Sequence, residues 1–244
     1  MADEPVTSSD NRLLAALPLK EYELLAPHLK SVSFRLGEIL FQPGDKIEQV
    51  YFPTTSIVSL LTDLADGSGM EVGLVGSDGI VGISAILGGS ETKVAAVQES
   101  GGARAMRVAR LQEAFCRGGH LQTQLLRYTH ALMTQISQSV VCNARHPVEG
   151  RMARWLLMYH DRLKVDEFEM TQEFMAHMLG VRRSSVTEVA LSLQEQGFIR
   201  YHRGHIAILD RQVLEQFACE CYAVVKEKFD DFLLQDGKRT AMTN

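Results

Sequence analysis

The sequence predicts an α+β fold in which an antiparallel β-roll is followed by a long helix and then by a helical domain that contains a β-hairpin. Three observations support this prediction. Short apolar segments separated by turn residues fill residues 31–110, a helical apolar repeat begins near Gly119, and a second helical region begins near Val148. Short strands with frequent turns are typical of sandwiches and rolls, whereas a repeat of three to four residues is typical of helices.

The composition is that of an ordinary globular protein. The chain has 244 residues, of which 45% are hydrophobic and 23% are charged, and this length is enough for two domains. No apolar run approaches the roughly 18 residues of a membrane span, and the acidic, polar residues 1–10 do not resemble a signal peptide. We therefore expect a cytoplasmic protein that makes no membrane contact.

Charge is distributed unevenly along the chain. The formal net charge is −5, yet residues 145–205 hold nine basic and eight acidic side chains, which gives this block a net charge of +1. The block is the least acidic part of the sequence. A contrast of this size does not by itself predict nucleic-acid binding.

The first 110 residues read as helices followed by short strands. Residues 11–29 have a helical pattern that Pro18 and Pro27 interrupt. The strand-like segments that follow are VSFRL, EILF, VYF, SIVSLL, MEVGLV, KVAAV and ARAMRV. Glycine, proline and aspartate punctuate them, as in the turn at Pro43-Gly44-Asp45, and this pattern predicts an antiparallel roll.

A single long helix of about 25 residues is predicted next, ending before His146-Pro147. Its apolar face is too long for one small roll to cover, so we expect it to pair with the same helix of a second copy. Packing within one chain is the alternative. The residues expected in the dimer interface are Leu125, Thr129, Leu132, Met133, Ile136 and Val140.

The pattern of the last hundred residues predicts two helices joined by a sharp turn and followed by a β-hairpin. Thr171 is a plausible N-cap for the first helix, and Gly180 permits the turn. Both apolar stripes can pack on a preceding helix that contains Trp155. The stripes are Phe174, Met175, Met178 and Leu179, and Val186, Val189, Ala190 and Leu193. This order is typical of a helix-turn-helix, and a hairpin around Arg203-Gly204 supplies a basic wing. The tail, QVLEQFACECYAVVKEKFDDFLL, predicts one more amphipathic helix.

The start of the second helix supplies the candidate DNA contacts, and the wing adds one more. They are Arg182, Arg183, Ser184, Ser185, Thr187, Glu188 and Arg203. We expect Arg183 to reach a guanine edge and Arg182 and Arg203 to meet phosphates. The alternative for each arginine is a solvated surface side chain. Ser185 and Glu188 also fit a capping box, in which case Glu188 would serve the helix end and read no base.

The chain resembles the CRP/FNR family of bacterial transcription regulators over about residues 10–210. The resemblance rests on several short matches along the sequence. They are Leu36-Gly37-Glu38-Ile39-Leu40, Pro43-Gly44-Asp45, Tyr51-Phe52, Thr171-Gln172-Glu173, Leu179-Gly180, Arg183, Val186, the LQEQGFI run and Gly204. It implies a cyclic-nucleotide-binding-like β-roll of the double-stranded β-helix (jelly-roll-like) type, a dimerisation helix and a C-terminal winged helix-turn-helix.

The resemblance implies three regions with definite boundaries. Residues 1–118 would form the sensor β-roll with its N-terminal helices, residues 119–145 the dimerisation helix, and residues 146–244 the DNA-binding domain with a C-terminal helix. The recognition helix departs from the family pattern: Ser184 and Glu188 stand where a glutamate and an arginine are common. The family's usual half-site therefore does not transfer to this chain.

The roll lacks the residues with which relatives bind cyclic nucleotides. Such relatives carry Gly-Glu for the ribose and, about ten residues later, Arg-Ser for the cyclic phosphate. Here Ile83 follows Gly82, and Lys93-Val94 stands in place of Arg-Ser. A lysine neutralises phosphate but lacks the planar fork of arginine. We therefore expect no cAMP binding, and the effector stays unknown.

Cysteines and histidines give no recognisable cofactor or metal site in the sequence. The four cysteines, Cys116, Cys142, Cys219 and Cys221, have no CxxC spacing. Cys219 and Cys221 are two residues apart in a helical pattern, so their thiols should face about 200° apart, as reduced structural cysteines. No cysteine precedes Cys116, and this absence argues against an iron–sulfur cluster of the FNR type. The histidines that haem would need, His28, His120 and His130, read as ordinary surface or packed residues.

The expected function is sequence-specific DNA binding by a homodimer on an inverted repeat, controlled by an unidentified signal at the roll. A module of the same fold that binds a protein partner instead of DNA is the alternative. We expect no enzyme, because no catalytic constellation is present and residues 31–110 contain no histidine for a metal site in the roll. Double-stranded DNA and a second copy are the expected partners. RNA polymerase is a further candidate, for which the composition assigns no surface.

Overall fold

A computed structural model of the chain describes residues 11–65, 69–163 and 165–239. Residues 1–10, which are acidic and polar and were not expected to form a signal peptide, lie outside the residues that the structure describes. Contacts group the chain into two units, which we call unit 1 (residues 1–59, 75–133 and 228–244) and unit 2 (residues 60–74 and 134–227). This grouping does not test the boundaries expected at residues 118 and 145, which stay predictions. Among the described residues, no helix is long and apolar enough to cross a membrane.

The N-terminal helices are short, as the prolines predicted. They are α1 (Arg12–Ala15) and α2 (Leu19–Leu25), and a 3-10 turn over Ala26–His28 follows. Asn11 caps α1: its side-chain oxygen accepts hydrogen bonds from the backbone N–H groups of Leu13 and Leu14. The amide nitrogen of Asn11 donates to the carbonyls of Pro53 and Gly79, so this buried residue fastens the helix to the roll.

All seven strand-like segments of the first 110 residues are strands. They are β1 (Lys30–Phe34), β2 (Ile39–Phe41), β3 (Gln49–Pro53), β4 (Ile57–Asp63), β5 (Gly69–Val75), β6 (Val94–Glu99) and β7 (Gly101–Arg107). One sheet has the order β1-β7-β3 and another β2-β6-β4-β5. Ala105 of β7 faces Lys30 on one side and Tyr51 on the other, in antiparallel register. The predicted β-roll is confirmed.

Two helices follow the roll. The first, α3 (Val108–Cys116), was not predicted, and the second, α4 (His120–Arg145), is the expected long helix. The carboxylate of Glu21 lies at the N-terminus of α4. The Glu21 carboxylate accepts the backbone N–H groups of His120 and Leu121, at 3.0 and 2.9 Å. Four N–H groups are unsatisfied at a helix start, and a negative charge there also suits the helix dipole.

Helix α4 buries one face and exposes the other. Leu125 and Leu132, which were expected in the dimer interface, are buried inside their own chain. That part of the prediction was wrong because the apolar band on this helix is wider than a single face. The exposed apolar residues are Leu126, Met133, Val140 and Val141. The first three are seven residues apart, and Thr129 and Ile136 lie half-buried beside them.

The C-terminal part follows the predicted order with added elements. It comprises α5 (Val148–Leu163), β8 (Glu167–Glu169), α6 (Gln172–Leu179), α7 (Arg183–Glu195), β9 (Ile199–His202), β10 (His205–Ile208), α8 (Arg211–Phe217) and α9 (Cys221–Arg239). Strand β8 was missed, and it pairs antiparallel with β10. The tail is two helices and not one, because the helical backbone is interrupted over residues 218–220.

The core of unit 2 is built around α5, which is buried on nearly all sides and is not simply amphipathic. Trp155 packs against Tyr159, with ring centroids 5.3 Å apart, and its indole N–H donates to the buried carboxylate of Glu71 at 2.9 Å. Arg162 donates to the side-chain oxygen of Gln135 on α4 at 3.2 Å. A buried donor or acceptor without a partner costs free energy, so these bonds fix α5 against β5 and α4.

The Glu21 cap predicts a pH-dependent loss of stability in Glu21→Gln. Partial burial works to raise the pKa of Glu21, but the hydrogen bonds from His120 and Leu121 outweigh it, and the pKa lies below its ordinary value of 4.5. A carboxylate with a depressed pKa stabilises the fold above its unfolded pKa, and this contribution is lost as the pH falls through its folded pKa. Thermal unfolding should therefore show a lower Tm for Glu21→Gln than for the wild type at pH 7, and a narrowing difference below about pH 4.

Glu23→Gln is the matched control, since Glu23 is an exposed neighbour on the same helix. Its Tm should stay close to that of the wild type across the same pH range. A Glu21→Gln deficit of equal size at pH 7 and at acid pH would contradict an ionic cap on α4.

Candidate nucleic-acid interface

The α6–α7 pair has the local geometry that a helix-turn-helix requires. The Thr171 hydroxyl accepts the N–H of Phe174 and caps α6, as predicted. Gly180 ends α6 with φ 61°, a left-handed conformation that glycine adopts without strain. The guanidinium of Arg151 donates to the carbonyl of Leu179 at the end of the same helix. Helix α7 then starts at Arg183.

The apolar stripes that were predicted to hold the two helices are mostly buried. Met175, Met178 and Leu179 of α6 are buried, whereas Phe174 is only half-buried. The complete α7 stripe is buried, and it consists of Val186, Val189, Ala190 and Leu193. A side-chain hydrogen bond also joins the helices: the Thr187 hydroxyl lies 2.7 Å from Oε1 of Gln172. That bond could not be read from the sequence.

The first turn of α7 presents its polar side chains to solvent. Arg182, Arg183, Ser184 and Glu188 are exposed, and Ser185 and Thr187 are half-buried. The alternative reading of Ser185 and Glu188 as a capping box was wrong. The N-cap position is Arg182, which makes no side-chain cap, so Ser185 already lies inside the helix. Glu188 is thus available for other contacts.

The wing is a tight hairpin between β9 and β10. His202 pairs with His205, and the two residues between them, Arg203 and Gly204, have φ values of 49° and 83°. Two consecutive positive φ angles are what a type I′ turn needs. Arg203 is the only described residue other than glycine with positive φ, and its side chain is exposed at the tip. The predicted hairpin is confirmed.

In the roll, an internal carboxylate occupies the segment before Lys93. Glu91 is buried, and its Oε1 accepts the backbone N–H groups of Thr92 and Lys93 at 2.9 and 3.2 Å. The Ser84 hydroxyl donates to its other oxygen at 3.3 Å. Successive backbone N–H groups form a natural anion site. Here the chain's own acid satisfies them, a role for Glu91 that the sequence analysis missed.

Cysteine and histidine side chains converge in unit 2, which was not expected. Cys142, His146, Cys219 and Cys221 place one ligand atom each within 4.8 Å of the others. The prediction that Cys219 and Cys221 face opposite sides of a helix was wrong. Cys219 precedes α9, so the rotation of 100° per residue does not apply between them.

Two regions of the chain match known protein families. Residues 31–110 match the cyclic nucleotide-binding domain, and residues 150–217 match the Crp-like helix-turn-helix domain. No curated protein sequence matches the chain.

Solved structures share the fold. FixK2 from Bradyrhizobium japonicum is 20% identical, with a TM-score of 0.69 over 78% of this chain and 98% of that one. A regulator of the CRP/FNR family from Eubacterium rectale is 15% identical, with a TM-score of 0.65 over 84% and 96%. A CRP/FNR-family transcriptional regulator from Thermus thermophilus is 21% identical, with a TM-score of 0.63 over 78% and 98%. At these identities the likeness concerns the fold alone.

Proposed function

The chain belongs to the CRP/FNR family of transcription regulators, and we propose that it binds an inverted repeat in double-stranded DNA as a homodimer. The observation that carries the proposal is the exposed first turn of α7, beside the basic wing. A recognition helix enters the major groove with its N-terminal residues against base edges, and a wing reaches the adjacent backbone. A regulator that acts on the chromosome would work in the cytoplasm.

The exposed side chains divide into base-reading and phosphate-binding roles. Arg183 is the first residue of α7 and would donate two hydrogen bonds to a guanine edge. Arg182 and Arg203 would meet phosphates on either side of the groove. Ser184 and Ser185 add hydroxyls for phosphate or base, and Glu188, with no cap to serve, would accept from a cytosine amino group. Thr187 contributes less directly, since its hydroxyl is bonded to Gln172.

The homodimer would form along the exposed face of α4. Leu126, Met133 and Val140 repeat every seven residues and are 50, 62 and 63% exposed. Thr129 and Ile136 stand three residues after the first two. Apolar residues alternating at spacings of three and four form the seam of a two-stranded coiled coil. This seam keeps four of the six residues predicted for the interface, omits the buried Leu125 and Leu132, and adds Leu126.

The roll would respond to a signal other than a cyclic nucleotide. A cyclic phosphate would have to displace Glu91 from the backbone N–H groups that it already occupies, and the two anions would repel each other. Gly82 leads into the apolar Ile83, where the relatives carry a glutamate for the ribose. The effector has no assigned identity, and we propose no catalytic role for the chain.

Selection from a pool of random DNA duplexes tests these roles. The wild type should enrich an inverted repeat with half-sites about one helical turn apart. Arg183→Ala should lose base preference at one position of each half-site, a penalty of about 1–3 kcal/mol. Arg203→Ala should weaken binding to all sequences alike and reduce the log–log salt slope by about 0.9 per contact.

Binding at two salt concentrations separates the two effects. Equal losses from Arg183→Ala and Arg203→Ala on every sequence would contradict the division of roles. Failure of the wild type to enrich any duplex would favour the alternative of a protein-binding module.

Met133→Glu should weaken the dimer without unfolding the chain. Because Met133 is exposed within one chain, the substitution disturbs no core, but in a coiled coil it would set two carboxylates against each other across the seam. Sedimentation equilibrium should show a dissociation constant at least about tenfold higher, which corresponds to about 1.4 kcal/mol. Leu87→Glu is the control, because Leu87 is a comparably exposed apolar residue on the roll. A dimer that tolerates Met133→Glu as well as Leu87→Glu would contradict the seam.

The occupied anion site predicts that cAMP leaves the protein's thermal stability unchanged. A ligand that binds the native state at about a hundred times its dissociation constant adds roughly 2.7 kcal/mol of stability, which a melting experiment detects easily. We expect the same Tm with cAMP, with AMP and without nucleotide. A rise in Tm specific to cAMP would refute this view of the roll.

A further inference from the structure

Four potential metal ligands meet in unit 2 at the end of α4. Cys142 and His146 lie on α4 and just after it, four residues apart, and such residues project from the same helix face. Cys219 and Cys221 come from the start of α9 and the residues before it. The Cys142 and Cys219 sulfurs are 3.4 Å apart, and the Cys221 sulfur is 3.5 Å from Nδ1 of His146.

The break between α8 and α9 brings the two distant cysteines to this place. The backbone N–H of Cys219 donates to the carbonyl of Gly150 on α5 at 3.3 Å. A Cβ on Gly150 would lie 3.4 Å from that nitrogen and 3.5 Å from the Cys219 Cβ, so glycine permits the close approach. The Cys219 carbonyl then accepts the N–H of Tyr222 as α9 begins. Both thiols consequently point to one side.

His146 is oriented as a ligand would be. Its Nε2 lies 3.1 Å from Oε1 of Glu220, and its Nδ1 faces the cysteines. A metal-binding histidine commonly donates its second ring N–H to a carboxylate, which fixes the ring and its tautomer. Glu220 stands between two of the cysteines in the sequence and supplies that carboxylate. A group of cysteines buried only for packing would not need an oriented imidazole.

The charges around the cluster favour an anionic centre. Arg151 and Arg154 are buried, and no carboxylate pairs with either of them in the part of the chain that the structure describes. One Nη of Arg154 donates to the Met158 sulfur at 3.5 Å, and the Nε of each arginine lacks a hydrogen-bond partner among the described residues. An unpaired buried charge is costly. Three thiolates around a divalent cation carry a net charge of −1 and would compensate these arginines.

We propose that Cys142, His146, Cys219 and Cys221 bind one Zn²⁺ ion in a closed tetrahedral site. Zinc–sulfur and zinc–nitrogen bonds of about 2.3 and 2.0 Å place the ligand atoms of such a site roughly 3.5–3.8 Å from each other. The two distances at the cluster come within a few tenths of an ångström of that range. Binding would release the thiol protons to solvent as the sulfurs become thiolates.

The bound ion would hold together three elements of unit 2. It would link the last turn of α4 to the start of α9, next to Gly150 in the first turn of α5. All four ligands are protein side chains, so no coordination position remains for a substrate, and the ion would be structural rather than catalytic. The proposal does not depend on DNA binding and can be tested without DNA.

Metal analysis of the full-length chain, purified without chelators, tests the proposal first. We expect close to one zinc per chain in the wild type and in Cys116→Ser, which removes the exposed cysteine outside the cluster. The double variant Cys219→Ser, Cys221→Ser should lose most of the zinc. Circular dichroism shows whether that variant still folds.

Cobalt exchange gives a readout that needs no variant. Co²⁺ in place of zinc in the wild type should give a thiolate-to-cobalt charge-transfer absorption together with the intense ligand-field bands of tetrahedral cobalt. His146→Gln should change the ligand-field bands while the thiolate absorption remains. A chelator should lower the Tm of the wild type and leave that of the double cysteine variant unchanged.

Four outcomes would overturn the proposal. The first is a wild type that neither contains stoichiometric zinc nor takes up Co²⁺ in a tetrahedral site. Iron together with acid-labile sulfide would indicate a cluster instead. A Cys142–Cys219 disulfide, seen as the loss of two hydrogens by mass spectrometry of the non-reduced protein, would indicate a redox pair. Zinc bound equally by the double cysteine variant would place the ion elsewhere.

Discussion

Helix α4 can bury only one of its faces in its own chain, and the rest of the structure follows from how each face is covered. Its 26 residues make a helix roughly 39 Å long. In unit 1 the inner face carries Leu125 and Tyr128, whose hydroxyl donates to the Ile80 carbonyl at 3.1 Å. In unit 2 the inner face carries Gln135, which Arg162 of α5 holds by a hydrogen bond. The outer face, with its heptad of apolar residues, has no cover within the described chain.

Polar groups fix the elements that meet this helix more strictly than apolar contact does. Glu21 sets where α4 begins, Glu71 receives the indole N–H of Trp155, and the thiols and imidazole near residue 146 gather where α4 ends. Each of these groups is satisfied in only one arrangement of the backbone, whereas apolar side chains tolerate several packings. Helix α7 is held through its buried apolar stripe, which leaves its first turn exposed to solvent.

Periodicity predicted most of the fold, and tertiary chemistry explains what it missed. The seven strands of the roll, the long helix and the hairpin at Arg203 were all readable, because alternation, the helical repeat and turn residues are local signals. Strand β8 has one buried residue, Phe168, which is too little for a pattern. The proposed dimer seam differs from the predicted interface at three positions, because Leu125 and Leu132 are buried within their own chain and Leu126 is exposed. The cysteine cluster depends on contacts up to 77 residues apart, which no spacing rule reveals. The partners of Glu91 lie within seven residues of it, but its burial and its hydrogen bonds to backbone N–H groups leave no pattern in the sequence.

The outward face of α4 as a symmetric seam is the central claim, and a cross-link tests it most directly. Val140→Cys in a Cys116→Ser background would place two thiols opposite each other across a parallel coiled coil, since Val140 continues the heptad of Leu126 and Met133. Mild oxidation should give a covalent dimer that reductant reverses, and neither Cys116→Ser alone nor Leu87→Cys in the same background should form it. A Val140→Cys protein that stays monomeric after oxidation, or a Leu87→Cys protein that cross-links equally well, would contradict the account.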